Sequence, residues 1–396
     1  MKLSYLSSES KSVSGTIKQE PSDFAVEEIM PDGTVLSLDT HISRPDSGSS
    51  FVHFVVQKEN WSTTDAVREI ASRLRMSPKR INYSGTKDKR ALTTQLMSAF
   101  GAKKEDVLGL KISGMKILGA WHAQEKAEIG SLLGNRFKIK VTGEMDETIV
   151  RDIASELRGK FPNYFGPQRF GGSRGNTHKI GEMLIRSDLR GAVESYLLDT
   201  EGETNSYAVE ARKKLAEEKD YKKALQYFPK HLRLERLLLI HLAQQPNDYG
   251  NALRKLPRQI LLLFVHAFQS HLFNIALSER LAEGELKPEE GEYYCGENYG
   301  FPDVEKKMEA GRWIAGRIIG YETELNEREK RILEDFNVRK QDFKMKALPE
   351  VNSKGTYRAL LAPMKDFDYS NNVFAFSLPS GSYATSALRE FIKGLW

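Results

Sequence analysis

The hydrophobic pattern of this chain changes period twice, and that constrains its fold more than any single motif. Up to about residue 160 the dominant signal is two-residue alternation. Residues 23–29 read DFAVEEI, with Phe24, Val26 and Glu28 on one side; residues 51–57 read FVHFVVQ and residues 136–141 read RFKIKV. Alternating stretches rich in β-branched and aromatic residues suit half-buried strands. Residues 14–20 alternate more weakly. Two helical stretches lie among them. In residues 60–76, N-cap candidates Ser62, Thr63 and Thr64 precede a stripe of Ala66, Val67, Ile70, Ala71 and Leu74; in residues 145–157, Ile149, Ile153, Ala154 and Leu157 point inward. From about residue 173 strand signals fade until about residue 355. Helical periodicity replaces them near residues 177–187, 189–198, 207–218, 221–228, 234–244, 257–283 and 324–337, and residues 284–310 read as loop. Strand chemistry returns at residues 354–362 and 372–378, before a closing helix at residues 384–393. This order predicts an α+β protein whose single core is split by a mainly helical insertion: residues 1–162 and 354–396 form the core, residues 163–353 the insertion.

Composition narrows the function classes. The 396 residues are 40% hydrophobic and 29% charged, as in a globular protein. The longest apolar run, residues 260–268, is interrupted by His266 and falls well short of the ~20 residues of a membrane span. The opening MKLSYLSSES lacks the apolar centre of a signal peptide. The single cysteine, Cys295, excludes an internal disulfide framework and a Cys-based zinc site, so a reducing cytoplasm is the expected setting. His266 and His271 lack the carboxylate of an HExxH site, and the Gly-rich residues 171–175 lack the Walker and GxGxxG patterns. No metal and no nucleotide cofactor are therefore expected. The net charge of +5 is mild, but a nucleic-acid partner needs a basic patch rather than a large sum.

Residues 81–95, INYSGTKDKRALTTQ, hold one acid in basic company. Asp88 is flanked by Lys87, Lys89 and Arg90, with Lys79 and Arg80 upstream and the turn formers Ser84, Gly85 and Thr86 before it. A carboxylate held where phosphates dock can serve as nucleophile or base on nucleic acid; a solvated basic turn with one compensating acid has the same composition. Residues 134–137, GNRF, put Asn135 and Phe137 on one face, an amide and an aromatic suited to a flipped base, or else an ordinary turn and a core Phe. Residues 163–171, NYFGPQRFG, offer stacking aromatics with Gln168 and Arg169 for phosphates or base edges, or else an aromatic-anchored turn. Residues 376–385, FSLPSGSYAT, mark a strand-to-helix turn in which Phe376 reaches into a cavity or fills the core.

Taken together, DFAVEE (23–28), SGTKDKRALTTQ (84–95), GNRF (134–137), NYFGPQRFG (163–171), QSHLFN (269–274), GTYR (355–358) and LPSGSYATSALRE (378–390) run in one order through nearly the whole chain. The ordered set resembles the TruD family of tRNA pseudouridine synthases. That resemblance implies a pseudouridine synthase core, with a mixed, mainly antiparallel sheet and flanking helices, plus a TRUD insertion domain. It implies isomerisation of uridine to pseudouridine in tRNA, at position 13, with no cofactor and no metal. It casts Asp88 as the nucleophile, Lys87 as its ion-pair partner, and Phe137, Asn135 and Phe376 as base-binding residues. Lys79, Arg80, Lys89, Arg90 and Arg169 are then the RNA contacts. Two departures stand out: the insertion is long beside the shorter bacterial pattern, and Lys89 stands where many relatives have Arg. A non-catalytic RNA-binding protein or RNA chaperone on the same scaffold is the alternative. A glycosidase would need a second, matched carboxylate, and none accompanies Asp88 in its motif.

Overall fold

In the computed structural model, which describes residues 3–284 and 286–396, the two ends of the chain build one sheet. Seven strands form its path: β1 (Phe24–Ile29), β2 (Phe51–Glu59), β3 (Leu92–Phe100), β4 (Met115–Ala123), β5 (Gly134–Thr142), β6 (Lys365–Ser370) and β7 (Val373–Pro379). Their order is β6-β7-β5-β1-β3-β2-β4. Short strands Thr16–Ile17 and Ile81–Tyr83 add to β5 and β3. Only β1 and β3 run parallel; every other pair on the path is antiparallel. The sheet is thus mixed and mainly antiparallel, and the C-terminal hairpin β6–β7 completes it beside β5 after the long excursion of the insertion.

Both faces of this sheet are covered, one by two helices and the other by residues 30–42, whose Met30, Leu36 and Ile42 pack with Val55, Leu96 and Trp121, so all six residues of β1 are buried. The helix Glu147–Leu157 buries Val150, Ile153 and Leu157 in a core shared with Phe374, Phe376, Leu388 and Phe391. The helix Thr63–Arg73, capped by Ser62, packs Ala66, Val67, Ile70 and Ala71 against β2 and β3. The closing helix is shorter than its periodicity predicts, Ala384–Leu388. Beyond it, the buried Glu390 carboxylate accepts from the Leu6 and Ser7 amides, at 2.9 Å each, and ties the two ends of the chain together.

The middle of the chain is helical around the 26-residue helix Arg258–Glu283. By length and composition that helix would qualify to span a bilayer, although no uninterrupted apolar run signals it. Leu261, Phe264, Val265, Phe268 and Leu272 are instead buried among the surrounding helices. One expectation fails here. Within residues 284–310, expected as loop, Tyr293–Asn298 and Phe301–Met308 are strands, and with Trp313–Ile318 and Thr356–Ala359 they form a four-stranded sheet. Much of this hairpin is solvated, so polar residues such as Glu305, Lys306 and Lys307 occupy strand positions and erase the alternation.

Candidate active site

Alternate residues of five neighbouring strands meet on one sheet face. Register aligns Phe376 with Phe137, Phe137 with Val26, Val26 with Thr93, and Thr93 with Lys58. The next row aligns Leu378 with Asn135, and Asn135 with Glu28. The two-residue period of GNRF therefore does put Asn135 and Phe137 side by side. Gly134 allows this, because a Cβ there would come 2.2 Å from the Leu378 carbonyl oxygen and force β7 away.

Above this face lies the loop that carries Asp88, held by four side chains. Gln95 Nε2 donates to the Gly85 carbonyl at 3.1 Å. Thr63 Oγ1 accepts from the Lys87 amide at 2.9 Å and donates to Gln95 Oε1 at 3.1 Å. Lys58 Nζ donates to the Asp88 carbonyl at 3.3 Å. Lys87 turns inward, and its ammonium meets Glu28 Oε2 at 2.6 Å, with only 4% and 1% of the two side chains exposed. The other Glu28 oxygen accepts from the Leu96 amide at 3.0 Å. Lys87 thus does not pair with Asp88, contrary to the role the resemblance implied. Successive side chains diverge at this turn: Lys87 is buried, while the Asp88 side chain is 43% exposed and pairs with Lys18. The Lys18 ammonium also lies 4.0 Å from the centre of the Phe24 ring.

A cavity of about 450 Å³ opens between this loop and the turn at residues 380–385, within the ~300–1,000 Å³ typical of small-ligand sites. Lys87, Asp88, Asn135 and Phe137 line it, with Phe24 and Val26 from β1. Asp88 is the only carboxylate among the described residues of its wall. Two wall groups, Asn135 Oδ1 and Thr385 Oγ1, are buried without a hydrogen-bond partner. Unpartnered buried polar atoms are costly, so a pair on one cavity wall points to a polar ligand. A larger cavity of about 620 Å³ among the helices of the insertion contains none of the expected site residues.

Phe376 is not on the wall. It is 1% exposed and packs behind Phe137, ring centres 5.8 Å apart. Because β7 lies on the far side of β5 from the loop, Phe376 supports the Phe137 ring and does not face the opening. NYFGPQRFG also proves largely structural. Tyr164 and Phe165 are buried, and Asn274 of QSHLFN clasps the Phe165 main chain with two bonds of 2.9 Å. Arg358 of GTYR donates to the Asn163 carbonyl at 3.0 Å, to Asn163 Oδ1 at 2.7 Å and to the Gly381 carbonyl at 3.0 Å. Ser382 adds a 2.9 Å bond to Asn163 Oδ1. Four distant motifs thereby fix the turn that forms one wall.

The expected RNA contacts are dispersed. Lys89 and Arg90 are exposed beside Asp88, with Arg90 Nη2 bonded to the Gln19 carbonyl at 2.6 Å. Lys79 and Arg80 belong to the turn Pro78–Arg80, where Arg80 lies over Phe100 at the other end of β3, roughly 25 Å along the strand. Arg169 donates to Ser270 Oγ at 3.1 Å, and burial lowers its pKa. Sequence reasoning overlooked Lys18 and Lys58, took Thr63 only as an N-cap candidate, and gave Arg358, Glu28 and Gln95, all inside quoted motifs, no role. For Glu28 and Lys58 a signal existed: a charge inside an apolar strand is rarely buried without a partner.

The chain matches the family described as tRNA pseudouridine synthase D (TruD) over residues 1–391. It is 37% identical to a tRNA pseudouridine synthase D of Archaeoglobus fulgidus, over 96% of this chain and 95% of that one. A Thermococcus sibiricus protein of the same name is 33% identical, over 98% and 97%. A crystal structure from Methanosarcina mazei carrying the same family name superposes with a TM-score of 0.76 at 29% identity, covering 98% of this chain and 96% of that one.

Proposed function

The chain belongs to the TruD family of tRNA pseudouridine synthases, and from there we propose that it isomerises uridine 13 of tRNA to pseudouridine with Asp88 as the nucleophile. One observation carries the residue assignment. A single carboxylate, Asp88, shares a base-sized cavity with the Phe137 ring and with an Asn135 oxygen that has no partner.

In the reaction the N-glycosidic bond breaks, uracil turns, and C5 joins C1′; N1 gains a proton and C5 loses one. The atoms balance without an electron or group carrier. Asp88 can begin by attacking C1′, by adding to the base, or by removing the C2′ proton. Lys18 pairs with the carboxylate and orients it. Phe137 stacks on the extruded base, and the free Asn135 acceptor complements the N3–H of uracil. Lys89 and Arg90 hold phosphates beside the opening, while Lys79 and Arg80, at the far end of β3, meet a different part of the tRNA. Glu28 cannot be the second carboxylate of a glycosidase, because both its oxygens are committed, to Lys87 and to the Leu96 amide.

Incubation with an unmodified tRNA transcript, followed by position-resolved pseudouridine mapping, tests the proposal. One modified uridine at position 13 is expected, and none when cytidine replaces it. Binding without product would leave the non-catalytic RNA-binding alternative; a product elsewhere would refute the position.

A further inference from the structure

Lys58 belongs to none of the motifs above, yet it lies directly beneath the nucleophile loop. It is 0% exposed. Its ammonium donates to the Trp61 carbonyl at 2.6 Å and to the Asp88 carbonyl at 3.3 Å. Both acceptors are main-chain carbonyls, so no carboxylate pairs with the ammonium directly, in contrast to Lys87 and Glu28. Fully buried lysines are rare without such a partner, because desolvating an ammonium is expensive. A methionine or leucine would fill the same space without that cost. What the lysine adds is a charged donor under the main chain of Asp88.

We propose that Lys58 is a positioning residue for the reaction: its ammonium fixes the Asp88 main chain and so aims the carboxylate, and it does this only while protonated. This rests on Asp88 being the nucleophile. The charged groups facing Lys58 are Lys87 and Asp88 of the loop; its cross-strand neighbours, Thr93 on β3 and Met115 on β4, are uncharged. Burial, reinforced by the Lys87 cation and opposed by Asp88, pulls the Lys58 pKa from 10.5 down to about 8. Below that value the ammonium holds the loop. Above it the neutral amine keeps N–H groups but loses charge assistance, which is worth about half of such a bond, and the cation beneath Asp88 disappears.

The test is the single-turnover rate constant on tRNA from about pH 6 to about pH 10 for the full-length wild type, Lys58→Arg and Lys58→Met, with Asp88→Asn as control. Melting temperature and tRNA affinity are recorded for each. The wild-type rate should fall above roughly pH 8 and level off short of the loss in Lys58→Met, because the neutral amine keeps its N–H donors. Lys58→Arg, which stays charged, should lack that fall. Lys58→Met should be about 100-fold slower at neutral pH, the scale of a misplaced reacting group, with a flat alkaline side and unchanged affinity. A wild-type rate that holds steady across pH 8 overturns the proposal. So does the same alkaline fall in all three proteins, or a Lys58→Met protein that melts lower but reacts at the wild-type rate. Should Lys58→Met not fold, the wild-type and Lys58→Arg profiles decide. Turnover by Asp88→Asn would instead remove the nucleophile assignment, so the two failures are distinguishable.

Discussion

Asp88→Asn is expected to lower pseudouridine formation at least about 1,000-fold, the scale seen when a nucleophile is removed from an otherwise intact site. The substitution is isosteric, and the loop survives it. Its anchors are Gln95, Thr63, Lys58 and the Lys87–Glu28 pair, none of which bonds to the Asp88 carboxylate. Only the half-exposed ion pair with Lys18 is lost, and such pairs contribute under about 1 kcal/mol. Stability and tRNA affinity should therefore stay near those of the wild type while turnover vanishes. Residual turnover above a few per cent of wild type, about a 50-fold loss or less, removes Asp88 from the nucleophile role. A parallel loss of binding would make it a docking residue.

Glu28→Gln should produce the largest loss of stability of any single change at the site. The Lys87–Glu28 pair is almost wholly buried. Removing one partner leaves a desolvated charge alone, which costs about 3–5 kcal/mol and, at this chain length, should lower the melting temperature by about 4–6 °C. Activity should fall as well, because Lys87 is the covalent neighbour of Asp88 and the loop loses its inward anchor. A melting curve checks this, and the double substitution Glu28→Gln with Lys87→Met separates the causes. If the isolated ammonium is the culprit, the double variant should recover most of the stability, since an apolar replacement of a buried pair is often neutral. Equal instability in single and double variants would show that the isolated ammonium is not the cause, since a glutamine at position 28 still accepts from the Leu96 amide.

Period-based reasoning reaches whatever the sheet itself dictates. Phe24, Val26 and Glu28 share a face because strands alternate, and so do Asn135 and Phe137. The return of strand chemistry near the end of the chain is also legible: Val373–Pro379 joins the sheet of Phe24–Ile29, whereas Thr356–Ala359 pairs with Trp313–Ile318 in the smaller sheet. Pairing across distance is not legible. Lys87 and Asp88 are adjacent in sequence, yet their partners, Glu28 and Lys18, lie 59 and 70 residues away. Nothing local says which way each side chain of a turn will point. Phe376 illustrates a second limit. Alternation gives the correct face but not the position across the sheet, and one strand further from the loop a ring is core rather than wall. The hairpin at residues 293–308 shows a third: a solvated strand needs no apolar alternation, so periodicity cannot find it.

The most direct measurement of the central claim follows the hydrogen at C5. Forming a bond from C5 to C1′ expels it, whereas binding alone does not, and simple cleavage of the N-glycosidic bond releases the base with its C5 hydrogen in place. A tRNA transcript labelled with tritium at uridine C5 should therefore release tritium into water on incubation with this protein, to the extent of one uridine per tRNA. The RNA should stay intact, and Asp88→Asn should release none. Labelled free uracil in solution, or no release at full tRNA binding, would contradict the account.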